Sequence, residues 1–142
     1  MTTKRQDDFS LHMRIPANKC FVNNALLTLD GICDHFSFTE NSRDRIKKAL
    51  EAAINSSIDL SYEKRAGLFN LQFSIYKEKM VIMIEDYYMD NGEDVVANSE
   101  AVRKSLAAVE GLTDGLLFSD KKGRNASYSM AFNVSFIEEN DA

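Results

Sequence analysis

No apolar run in this 142-residue chain approaches the roughly 20 residues that a membrane-crossing helix requires. The opening MTTKRQDDFS also lacks the hydrophobic stretch of a signal peptide. The expectation is a cytoplasmic protein without membrane contact. Cysteine and histidine are scarce, two of each. Cys20 and Cys33 lie on one helical apolar pattern, separated by roughly 20 Å at about 1.5 Å of rise per residue, too far to bridge each other. Both read as small apolar side chains. His12 and His35 have no companions at ligand spacing, which excludes a metal site built from His and Cys. The net charge is −5, and every Lys/Arg cluster has acids beside it, which argues against nucleic acid as a partner. Internal repeats and low-complexity tracts are absent.

What remains has the balance of a globular protein, 44% hydrophobic and 27% charged, long enough to bury one core. We expect a single domain over 9–136, preceded by a flexible polar stretch (1–8) and followed by an acidic, flexible tail (137–142). Phe9, Leu11, Met13 and Ile15 alternate with polar residues as in a half-buried strand, stopped by Pro16, the only proline. Asn18 is placed to cap a helix through Val22, Leu26, Leu29, Cys33 and Phe36. A second helix follows over Glu40–Tyr62, with Thr39, Ser42 and Asp44 as candidate caps and Gly67 at a helix-ending turn.

Phe69, Leu71, Phe73 and Ile75 define an amphipathic strand, and a turn at Lys77–Lys79 leads to the continuous apolar run Met80–Ile84, a central strand. A third helix is expected from a Ser99 cap to Gly111, then a short strand over Leu116–Phe118. A hairpin turn at DKKGR (120–124) leads to a last strand alternating through Tyr128, Met130, Phe132, Val134 and Phe136. The order β-α-α-β-β-loop-α-β-β specifies an α+β two-layer sandwich, with about three helices on one face of a mixed, mostly antiparallel sheet.

Within the second helix, Ile46, Ala49, Leu50, Ala53, Ile54, Ser57 and Ile58 form the buried stripe. Beside it, Glu51 and Asn55 project one turn apart in nearly the same direction. A carboxylate and an amide oxygen presented together can hold hydrated Mg²⁺ and orient a water or hydroxyl, because a hard cation prefers oxygen. The same E-x-x-x-N spacing also occurs on solvated helix faces that bind nothing.

The segment LEAAINSSIDLSY (50–62) resembles the N-box helix of the histidine-kinase-like ATPase superfamily, the Bergerat fold, in its bacterial anti-sigma-factor serine kinase branch. Upstream IPANKCFVNNALLTLDGICDHFSFTE and downstream LFNLQFSIYKEKMVIMIED are similar in order and spacing, so the resemblance covers roughly Ile15–Phe132. It implies Glu51 as general base or water orienter and Asn55 as the Mg²⁺ ligand. Asp59 stands where the branch often has histidine. The aspartate of a D-x-G-x-G box, which accepts from the adenine amino group, falls on Asp86. Tyr88 and Asp90 then replace the glycines that let the ring approach the backbone. A second registration reads Asp90-Asn91-Gly92 as the box, with a strand four residues longer, and both stay open. A lost aromatic face costs on the order of 1–3 kcal/mol, about ten- to hundredfold in affinity.

The glycine-rich phosphate lid of the family is also missing. Its place is taken by NSEAVRKSLAAV, where Glu100 repels phosphate and only Arg103, Lys104 and Ser105 offer side-chain contacts. The resemblance therefore implies an anti-sigma-factor-like regulator that docks a sigma factor or an antagonist protein in partner switching, with ATP and Mg²⁺ weakly bound or lost. Its alternative is an active ATP- and Mg²⁺-dependent serine kinase. The resemblance further implies a homodimer.

Overall fold

A computed structural model describes residues 9–61, 67–88, 103–120 and 126–138. The chain runs β1 (Phe9–Pro16), a 3₁₀ turn (Lys19–Phe21), α1 (Val22–His35), α2 (Glu40–Ser61), β2 (Gly67–Tyr76) and β3 (Lys79–Tyr88), then α3 (Ala107–Glu110), β4 (Gly115–Asp120) and β5 (Ala126–Asn133). The five strands form one sheet in the order β1-β2-β3-β5-β4, and all four pairings are antiparallel. The α+β sandwich stands, with the described sheet antiparallel throughout.

Period two decides which face is covered. Phe69, Leu71, Phe73 and Ile75 of β2, Met80, Ile82 and Ile84 of β3, and Tyr128, Met130 and Phe132 of β5 are buried. The alternate positions, His12, Arg14, Asn70, Gln72, Met83 and Glu85 among them, line a shallow depression of about 510 Å³ on the opposite face. There Arg14 Nε donates to Asn70 Oδ1 at 2.7 Å and Asn70 Nδ2 to Glu85 Oε1 at 3.2 Å, a ladder across three strands.

Buried residues of the described helices α1, α2 and α3 join the inward strand residues in one core cluster. Phe36, just after α1, packs edge-on against Phe9 with ring centroids 4.9 Å apart, and Tyr128 of β5 hydrogen-bonds to α2. Arg103, in the helical residues before α3, lies over Phe118 of β4. Ion pairs from Asp30 to Arg43 (3.6 Å) and Lys47 (3.1 Å), together with Asp34–Arg43, join α1 to α2.

Local chemistry fixes the element ends. Asn18 Oδ1 accepts from Cys20 N at 2.9 Å, so the expected cap starts a 3₁₀ turn that runs into α1. Of the three candidate caps for α2, Thr39 is used: its Oγ1 accepts from Ser42 N at 3.3 Å. Helix α1 closes in a Schellman arrangement, with Phe38 N donating to Cys33 O (2.9 Å) and Ser37 N to Asp34 O (3.3 Å). Ser37 takes the left-handed conformation at φ 58°, where glycine is the usual residue.

Several expected boundaries move. Gly67 opens β2, opposite Tyr88, and is part of the sheet where a helix-ending turn was expected. The third helix is broken: residues 103–105 are helical, Leu106 is a turn, and α3 resumes at Ala107, whereas Ser99 lies outside the described residues. After β5, the chain folds back over the α1–α2 connection. Phe136 bridges to Phe38, Thr39 N donates to Ser135 O at 2.9 Å, and Ile137 N donates to Ser37 O at 2.7 Å.

Candidate functional site

Helix α2 presents its buried stripe to the sheet and carries Glu51, Asn55 and Asp59 on successive turns beside it. Glu51 is exposed and Asn55 half-buried. Oxygen donors of this kind suit Mg²⁺. Among the described residues no group of three or more His, Cys, Asp or Glu is placed to hold a metal. Asp59 is occupied: its Oδ1 pairs with Lys19 Nζ at 2.8 Å, joining the end of α2 to the 3₁₀ turn. Both side chains are more than half exposed, so the pair contributes at most about 1 kcal/mol.

Asp86 sits inside β3, paired with Phe69 of β2 and in phase with the buried Ile82 and Ile84. Backbone pairing carries β3 four residues past the apolar run, to Tyr88, so Asp86 does not mark the end of the strand. It does mark where β3 parts from β5, since that ladder ends at Glu85 opposite Ser127. The length of the strand matches the Asp90 registration, and the parting from β5 matches the Asp86 one. Asp90 and Gly92 lie outside the described residues.

Arg103 was a candidate phosphate contact. Its guanidinium stands 4.9 Å from the centroid of the Phe118 ring. Phe118 in turn stacks nearly parallel on Tyr128, at 6.2 Å and 3°. The Tyr128 hydroxyl donates to the Ala53 carbonyl at 3.2 Å and accepts from Ser57 Oγ at 2.8 Å. Ala53 and Ser57 bracket Asn55, so a fully buried phenol on β5 is bonded to the helical turn carrying the Mg²⁺ candidate. Sequence reasoning counted Tyr128 only as an inward strand position. A signal was present in Ser57, a hydroxyl in an otherwise apolar stripe, which must find a partner when buried.

The covered face and the long second helix, with Glu51 and Asn55 on successive turns, make a two-layer α+β domain. No family model matches the sequence. Curated relatives do: serine-protein kinase RsbW of Oceanobacillus iheyensis is 32% identical over 77 residues, 54% of this chain and 49% of that protein. RsbW of Halalkalibacterium halodurans is 28% identical over 102 residues, 72% of this chain and 59% of its own length. The Staphylococcus aureus protein of the same name is 29% identical over 83 residues, 57% and 52% of the two chains. This chain is thus similar to the RsbW serine-protein kinases over part of its sequence, and it spans about half the length of the curated relatives it matches.

Proposed function

We propose that this protein is a cytoplasmic anti-sigma-factor-like regulator that acts by docking another protein, a sigma factor or an antagonist, and whose ATP binding is weak or lost. The observation that carries the reading is an intact scaffold beside an altered ligand seat. The core and the α2 stripe are buried, and Glu51 and Asn55 lie on successive turns of α2. In the Asp86 registration Tyr88 and Asp90 replace the box glycines, and in the Asp90 registration Asp94 replaces the second; the Arg103 side chain lies over an aromatic ring. None of the described helices is long and apolar enough to cross a membrane.

The test is a titration against a sigma factor encoded in the same genome, with and without Mg-ATP, for the wild type and Asn55→Ala. Binding indifferent to both changes supports docking without nucleotide. Absence of binding, or binding that requires nucleotide, overturns it. Sedimentation over a range of concentrations tests the homodimer, against which a constant monomer mass would count.

The relatives named serine-protein kinases favour a second reading, an active kinase. Bound Mg²⁺ would neutralise phosphate charge, held through the Asn55 amide oxygen, while Glu51 orients or deprotonates the substrate serine. Asn55→Ala then abolishes phosphate transfer, and a wild type inert towards an antagonist protein under Mg-ATP ends this reading.

A further inference from the structure

We propose that Tyr128 is a built-in plug: its phenol stands in the space between α2 and the sheet that an adenine ring would need, and so decides that purines are excluded. The inference rests on the reading that ATP binding is weak or lost, and supplies a physical cause for it. Three placements carry it. Tyr128 pairs with Ile84, so it stands beside β3 one row along the ladder from Asp86, the adenine position in the first of the two registrations and the one on which the inference rests. Its hydroxyl reaches up to Ser57 Oγ and Ala53 O, on either side of Asn55. Its ring is stacked against Phe118 and only 1% exposed. A six-membered aromatic ring with one polar edge, flanked by an aromatic face and hydrogen-bonded to the helix, uses the contacts a purine would use.

The phenol is also hard to move aside. Its two hydrogen bonds are buried, and swinging the ring out would leave the Ser57 hydroxyl without that partner in an apolar interface. A ligand would have to bear that cost in addition to its own desolvation. Removal of the ring by mutation leaves an enclosed aromatic-shaped space, and such spaces accept small aromatic ligands.

The experiment compares wild type, Tyr128→Phe, Tyr128→Val and Tyr128→Ala for binding of adenosine, with uridine as control, by calorimetry and by ligand-dependent shift in melting temperature. Adenosine isolates the purine seat from the triphosphate seat. The expected result is silence in the wild type and in Tyr128→Phe, which keeps the ring. Tyr128→Ala should show adenosine affinity at least about tenfold above wild type, with Tyr128→Val between. Folded Ala or Val variants that ignore adenosine overturn the plug and leave the loss of nucleotide binding standing. Adenosine or ATP binding by the wild type overturns the plug and the parent reading together. Should neither small variant fold alone, recovery of the fold on refolding with adenosine supports the plug, and failure to recover it overturns it.

Discussion

The buried hydroxyl pair between β5 and α2 can be measured directly by a double-mutant cycle. In Tyr128→Phe the ring and its stacking on Phe118 remain, but Ser57 Oγ loses a partner at 2.8 Å and the Ala53 carbonyl one at 3.2 Å. An unsatisfied buried hydroxyl costs about 1–3 kcal/mol, so the single change should destabilise by about 1–2 kcal/mol, with the Ser57 hydroxyl partly compensated within its own helix. Ser57→Ala should cost about 1 kcal/mol, since the Tyr128 hydroxyl keeps Ala53 O. The double variant removes both polar groups, leaves no orphan, and should cost no more than the worse single change, giving a coupling of about 1 kcal/mol. Urea unfolding reads this as a shift in midpoint at unchanged slope. Additive losses would show that the two hydroxyls do not share an interaction, and would remove the anchor we place beneath Asn55.

Four other outcomes follow from the local chemistry. Ser37→Gly relieves a left-handed serine in the Schellman turn and should stabilise by roughly 0.5–1 kcal/mol in thermal unfolding; destabilisation would show that the serine side chain matters more than its backbone. Cys33 is buried, with its thiol pushed up to about 11 chiefly by burial, while Cys20 is exposed; a thiol reagent should label Cys20 rapidly and Cys33 only on unfolding. Because the Cys33 value is raised in the folded state, its contribution to stability is fully present below pH 9 and is lost as pH rises towards 11, a slope Cys33→Ala should remove. Asp59→Ala should change stability by less than about 1 kcal/mol, with the difference shrinking in high salt, as suits an exposed pair with Lys19.

Much of the fold was legible because alternation and helical spacing report burial directly. The inward residues of β1, β2 and β5 and the α2 stripe are the ones their periods nominate. What was not legible was set by backbone pairing or long-range contact. Strand β3 outlasts its apolar run because its ladder with β2 continues through Asp86 and Tyr87 to Tyr88, and hydrogen bonding needs no apolar side chain. Gly67 reads as a helix terminator from its neighbours, yet the β3 ladder recruits it as a strand residue. The break at Leu106 falls inside a good helical pattern; Leu106 and Val109 are buried all the same, so packing was foreseen where helix continuity was not. The candidate pair was legible on α2, where Glu51 and Asn55 are four residues apart on one helix. It was not legible on the sheet, because the contact between Ser57 and Tyr128 spans 71 residues of sequence.

The central claim is that an ATPase-type scaffold persists here while its purine seat has been filled. Calorimetric titration of the wild-type protein with saturating Mg-ATP tests it most directly. We predict no binding heat and no change on substituting Asn55→Ala. Micromolar binding that requires Mg²⁺ and disappears in Asn55→Ala would contradict the claim and establish a working nucleotide site.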